Sequence, residues 1–389
     1  MGLEVHAMET RMTLRTRICD LLEIEVPIVL AGMGGAATPE LAAAVSNAGG
    51  LGVLGAAACG PNRLRRWIER TRELTDEPFG VDTLLPASVR RGAFEAKAGP
   101  SPLDQLSGHQ AFAREFQERE GLEPLSEDDR GPLGGGDDPD AGGPMPFSKE
   151  FFEAQMAVVI DERVPVYAAG LGDPGPYVDQ LHANGTRVMA VVGQTYHARK
   201  VAESGVDIIV AQGHDGGGHN APVGTMALLP QVRDAIGDLP LLGAGGIGDG
   251  RAVAAALMLG ADGAWVGTAF LATQEAGIHD FQKQALVDGT DASTTISRSI
   301  TGKPARMIRS KWSQAWEEAD IDPLPMPYQS MIAMPVLGAA TRDARADVIP
   351  GFAGQGLGLI DRVRPAAIVL EEMVRDAENA LVSGADLRG

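Results

Sequence analysis

The sequence runs to 389 residues with 44% hydrophobic but only 5% aromatic side chains, fifty glycines, two cysteines and a formal net charge of −19. Such an acid excess repels nucleic-acid phosphates and anionic membrane surfaces over much of the molecule, which excludes both as expected partners. Cys19 and Cys59 lack disulfide or metal-ligand spacing, no apolar run approaches the roughly 20 residues that cross a bilayer, and the N-terminus has no apolar export core, so a reducing, cytoplasmic setting is expected.

Short β-branched runs recur along the chain, each followed by Gly or Pro and then by an Ala-rich amphipathic stretch. Eight such runs predict strands at 26–31, 51–55, 79–85, 164–170, 186–192, 206–212, 240–245 and 263–267. Helix signals lie between them. Thr38 before Pro39 predicts an N-cap with Gly49 as the stop, and Asp249 with Gly260 repeats the device. The segments Gly32–Gly49 and Gly243–Gly260 are alike, one βα unit used twice.

Eight parallel strands with helical crossovers predict an α/β fold of the (βα)8 TIM-barrel type. The rival is a doubly wound open sheet, since "GAGGIG" at 243–248 satisfies G-x-G-x-x-G. The acidic residue about 20 positions on, Asp262, falls at the start of the next strand rather than its end, which favours the barrel. The expected organisation is a barrel over 20–273, interrupted by an acidic Gly/Pro-rich insertion at 86–147, and a mainly helical extension over 274–389. Within the insertion, "SPLDQLSGHQAFAREFQERE" predicts one or two helices, and the extension is placed either as a lid on the barrel mouth or as a homodimer contact.

In a barrel the chemistry sits at the C-terminal ends of the strands. After the seventh strand come Gly245 and Gly246, and after the eighth Gly267 and Thr268, where bare backbone amides suit a phosphate; the plainer alternative is that these glycines only allow close packing. After the sixth strand, "AQGHDGGGHN" at 211–220 offers the Gln212 amide, a glycine turn through Gly217 and Gly218 that lets the backbone approach a flat ligand, and then His219, delivered to the mouth or, as the plainer alternative, only hydrogen-bonded to its own loop. A metal reading of His214 and His219 fails for want of further ligands at suitable spacing, so no metal is expected, and His214 reads as a loop-bonded residue. Gly32, Met33 and Gly34 after the first strand are placed against the same ligand, and Asp82 in the third strand is either a hydrogen-bond partner for it or a solvated loop residue.

In this order the motifs resemble the nitronate monooxygenase family, formerly 2-nitropropane dioxygenases: "AQGHDGGGH", "GAGGIGDGRAVAAALMLGADGAWVGTAF", "TGKPAR" (301–306) and "GQGLG" (354–358). The resemblance implies an FMN-dependent barrel that oxidises nitronates and nitroalkanes with molecular oxygen, with His219 as the active-site histidine, Gln212, Gly217 and Gly218 at the flavin, and Gly245, Gly246, Gly267 and Thr268 around its phosphate. Asp82 departs from the Asn of many relatives, and Ala269 stands where some carry Arg. Flavin-dependent NAD(P)H:quinone reductases and enoyl-acyl carrier protein reductases share the pattern, and a non-redox phosphosugar isomerase would use the same phosphate loops.

Overall fold

The computed structural model describes residues 14–85, 102–126, 140 and 142–387. Every predicted strand forms: β1 (Ile28–Leu30), β2 (Gly52–Gly55), β3 (Phe79–Leu85), β4 (Val166–Gly172), β5 (Arg187–Val192), β6 (Ile208–Gln212), β8 (Leu241–Ala244) and β9 (Gly263–Val266). A two-residue strand, β7 (Gly218–His219), stands outside this series. The eight pair in parallel in the order β1-β9-β8-β6-β5-β4-β3-β2, and a parallel bridge between Val29 and Leu51 closes the ring. Strands that succeed one another around a closed cylinder rule out the doubly wound sheet.

Alternation along the strands explains why the cylinder is solid. Val29, Val53, Ala168, Met189, Val210, Leu242 and Trp265 form the interior cluster, while their neighbours Ile28, Leu54, Tyr167, Val188, Ile209, Leu241 and Ala264 belong to the cluster under the outer helices. Strand side chains point alternately to opposite faces, so one short run supplies both layers. The lower end is stoppered by the helix Arg17–Leu22, whose Ile18, Cys19 and Leu22 join the interior cluster. Asp262 fixes this stopper by accepting from Arg17 Nε (2.6 Å) and Nη2 (2.8 Å) while also taking the Leu241 N–H (2.8 Å). It lies at the strand start, as its position in the sequence indicated.

Both expected caps lie at helix starts. Asp249 accepts from the Ala252 N–H (3.2 Å), whereas Thr38 heads the helix Pro39–Asn47 without a side-chain bond. The part of the insertion from Pro102 to Glu120 is one helix; residues 86–101, 127–139 and 141, including most of the acidic tract, lie outside the described residues. Phe112 and Phe116 of that helix meet Trp316 and Trp312 of the tail helix Lys311–Glu317 at ring distances of 4.5 and 5.0 Å, building a satellite core with the helix Tyr328–Arg342. The tail thus divides. Its middle packs with the insertion, while its last helix, Ala366–Asp386, packs against Gly250–Met258 and Pro39–Asn47 and so completes the outer wall between the last and first βα units. The tail also contains a hairpin that the sequence reading did not anticipate, β10 (Thr294–Ser297) with β11 (Ala305–Ile308).

Candidate active site

Residue alternation turns Asp82 into the cylinder, because Phe79 and Val81 of the same strand belong to the outer cluster. The carboxyl is 5% exposed, so it is not a solvated loop residue. It packs against the Cα of Gly32 on one side and of Gly170 on the other, where any Cβ would collide with it. Burial pushes its pKa well above the usual carboxylate range, and a hydrogen bond to the Gly170 backbone pulls more weakly the other way. A buried carboxyl without a cation beside it favours the neutral acid, which can donate a hydrogen bond.

The loop after β6 separates its two histidines. His214 is tied into the loop, with its N–H donating to the Val223 carbonyl (2.7 Å) and Nδ1 bonded to the Ala221 carbonyl (2.9 Å). Gly218, at φ +75°, makes the left-handed step that carries the chain outward. His219 then pairs with Ala305 of β11, held on the other flank by the Gln212 side chain, whose Nε2 donates to the His219 carbonyl (2.8 Å). The His219 ring is part-buried; Nε2 lies 2.8 Å from the Thr301 hydroxyl and the Phe352 ring is 6.4 Å away. Burial lowers its pKa to about 4, and the Lys303 ammonium pushes in the same direction. The imidazole is therefore neutral at pH 7.

The loops after β8 and β9 form the other half of the rim. The N–H groups of Gly245, Gly246, Ile247 and Gly248 have no acceptor among the described residues. Gly245 is held at φ +97°, and a Cβ there would stand 2.8 Å from Thr225 Oγ1 and 2.9 Å from the Gly213 carbonyl; one at Gly246 would be 3.0 Å from Asp215 Cβ. Close packing therefore requires these glycines, and the amides they leave free are a separate property of the same turn. The Thr268 hydroxyl accepts from the Gly354 N–H (2.9 Å) and keeps its own proton available. Met33 Sδ approaches Gly267, where a Cβ would lie 3.4 Å from it, and Gly34 stands clear, with only Ala57 near its Cβ position. A four-amide turn and the Thr268 hydroxyl suit a phosphate, and the buried Asp82 carboxyl, Gln212 and the bare Gly32 edge suit a flat polar ring.

A segment of the tail straps these loops together. Gln355 N–H donates to the Asp215 carbonyl (2.8 Å), Ala353 leaves only 2.7 Å for a Cβ on Gly217, and Gly356 lies against Gly248. A cavity of about 650 Å³ is lined by Gly245, Gly246, Ile247 and Gly356 but by neither Asp82 nor His219, so it adjoins the glycine turn after β8. Thr301, Lys303, Phe352 and this strap were not assigned roles from sequence, although "TGKPAR" and "GQGLG" marked two of the segments.

A closed (βα)8 barrel with an amide-lined rim and a neutral imidazole beside it defines a class: the chain is a flavin-dependent oxidoreductase with FMN as its cofactor. The nitronate monooxygenase family matches residues 15–376, and the chain belongs to it. It is similar to Rv1533 of Mycobacterium tuberculosis, carried under a monooxygenase name, at 38% identity over 93% of this chain and 96% of that protein. Among solved structures it is similar to nitroalkane oxidase from Streptomyces ansochromogenes (TM-score 0.77, 32% identity, 94% of this chain and 99% of that one) and to FabK from Thermotoga maritima (TM-score 0.75, 30% identity, 96% and 100%). No helix among the described residues is long and apolar enough to cross a membrane.

Proposed function

We propose that the protein oxidises nitronates, the anions of nitroalkanes, with molecular oxygen to give carbonyl compounds and nitrite. The observation that carries this reading is the uncharged His219, bonded to Thr301 and held through its carbonyl by the Gln212 side chain. Bound FMN supplies the electron acceptor for the substrate and the route to oxygen. Within that arrangement, Gly245, Gly246, Gly267 and Thr268 hold the phosphate, and Gly32, Met33, Gly34, Asp82, Gln212, Gly217 and Gly218 form the bed for the ring. Asp82 donates its carboxyl proton as a hydrogen bond, and Phe352 gives the alkyl part of the substrate an apolar wall.

The pKa of His219 sharpens the choice of substrate form. A base with a pKa of about 4 takes a carbon-bound proton slowly, because general bases work best when their pKa lies near the operating pH. A nitronate has already lost that proton and needs no base; the neutral imidazole orients it as a hydrogen-bond donor. We therefore place nitronates ahead of neutral nitroalkanes, with His219 acting as base only for the latter. The test is anaerobic mixing of the FMN-loaded protein with a nitronate, with the matching nitroalkane, and with NADH or NADPH. Bleaching of the flavin by the nitronate alone supports the reading. Prompt bleaching by pyridine nucleotide, with none by the nitronate, replaces it with a quinone or enoyl-acyl carrier protein reductase on the same scaffold.

A further inference from the structure

We infer that Lys303 forms an anion subsite beside His219, holding the negatively charged oxygens of the substrate head group; the identification of that group as a nitronate rests on the function proposed above. The turn Thr301-Gly302-Lys303 leads into β11, and β11 is the strand on which His219 is mounted through its pairing with Ala305. Two bonds fix the turn to the imidazole: the Thr301 hydroxyl meets His219 Nε2 at 2.8 Å, and the Lys303 N–H reaches the same hydroxyl at 3.3 Å. Gly302, at φ +82° and packed against the Leu324 carbonyl, fixes the direction in which the following side chain leaves. The turn that carries Lys303 is thereby held beside the imidazole, and the Lys303 charge adds to burial in lowering the His219 pKa.

The ammonium is only part-exposed, and among the described residues no carboxylate pairs with it. Other lysines differ: Lys311 meets Glu120 and Asp347 at 3.0 and 2.9 Å, Lys149 lies 3.5 Å from Glu153, and Lys283 donates to the Gln274 carbonyl. In a chain with 52 acidic and 33 basic residues, a half-buried cation without a counter-ion is a conspicuous allocation. It costs solvation that nothing within the protein restores, and an anion bound at that point restores it. Since His219 is uncharged, the positive charge that a nitronate needs comes from the residue two positions beyond Thr301. The imidazole then provides direction and the ammonium provides charge.

Nitrate, a flat oxyanion of the same shape as a nitronate head, is the probe. FMN-loaded wild type, Lys303→Met and Lys303→Arg are titrated with nitrate while the flavin absorbance is followed. Nitrate affinity should fall by about tenfold or more in Lys303→Met and be largely restored in Lys303→Arg, the scale of one charge-assisted hydrogen bond. In turnover, Lys303→Met should raise KM for a nitronate by a similar factor with kcat little changed, and leave KM for the uncharged nitroalkane nearly as it was. Nitrate affinity that is unaltered by Lys303→Met in a protein that still holds FMN overturns the subsite. Failure of every nitronate to react, with nitrate affinity still dependent on Lys303, would remove the function proposed above and leave the subsite standing.

Discussion

The two ends of the barrel treat charge in opposite ways. At the lower end, where the strands begin, the ionic groups are matched: Arg17 with Asp262, Arg187 with Asp207, which also bonds the His182 ring, and Arg65 and Arg72 with Glu162. At the upper end Asp82, His219 and Lys303 are buried or half-buried, and none of them has an ionic partner among the described residues. Matched pairs at the base tie helix to strand start, strand start to strand start and helix to helix, which is work for stability. Unmatched groups at the rim keep their hydrogen bonds and charges for something that arrives from outside. Burial without neutralisation marks a site more sharply than residue type does.

The largest break in this contrast should come from His219→Asn. With a neutral nitroalkane as substrate, turnover should drop by about 10²–10⁴, the usual worth of a positioned general base, while FMN stays bound; steady-state oxygen uptake and the flavin-to-protein ratio measure the two. With the nitronate the loss should be far smaller, since Asn retains a donor. The pH profile carries the same information. As pH falls through about 4 the imidazole gains a proton, so nitroalkane turnover, which needs the free lone pair, should decline there and be flat above it. A decline centred near 6.5 would mean that the ring is solvated as in a free histidine.

At the phosphate end, Gly245→Val forces a branched side chain into the left-handed region against Thr225 and Gly213. FMN affinity should weaken by about tenfold, in line with strain of order 1–3 kcal/mol, as read by dialysis and absorbance. At the base, Asp262→Ala removes a bridge between the stopper helix and the strand starts. It should lower Tm by several degrees, from a loss of about 2 kcal/mol, without changing kcat per bound flavin. The smallest effects should come from Asp82→Asn, which keeps the shape and a donor between Gly32 and Gly170, and from His214→Gln at a loop position; initial rates should stay within about threefold, a fraction of the 1.4 kcal/mol that a tenfold change represents. A collapse of activity in His214→Gln would erase the distinction between the two histidines.

The barrel was legible because its evidence is local. The short apolar, β-branched runs, the Gly or Pro that follows each and the glycines that end the helices can be read within a few residues. The rim was legible where loops follow strands directly, as at Gln212, Gly245 and Thr268. What was not legible depends on contacts far apart in sequence. Thr301 reaches His219 through the pairing of β7 with β11 and brings the Lys303 turn with it, and the strap at 353–359 reaches Asp215 and Gly217 from the far end of the chain. Neither segment has a periodicity that announces its destination. The stopper helix Arg17–Leu22 was missed because six residues are too few to show an amphipathic repeat. The state of His219 was also hidden, since an unperturbed histidine permits a charged anchor and only burial removes that option.

The last helix, Ala366–Asp386, has a bearing on how the molecule is made. It fills the gap between the first and last βα units, so the outer wall stays open along one seam until residues 366–386 have packed. Leu370, Met373 and Val374 cover apolar surface that every earlier unit leaves bare, and contacts spanning almost the whole chain are slow to form and prone to sticking while they wait. Removing residues 366–386 therefore acts on the wall of the barrel and not only on the helix itself.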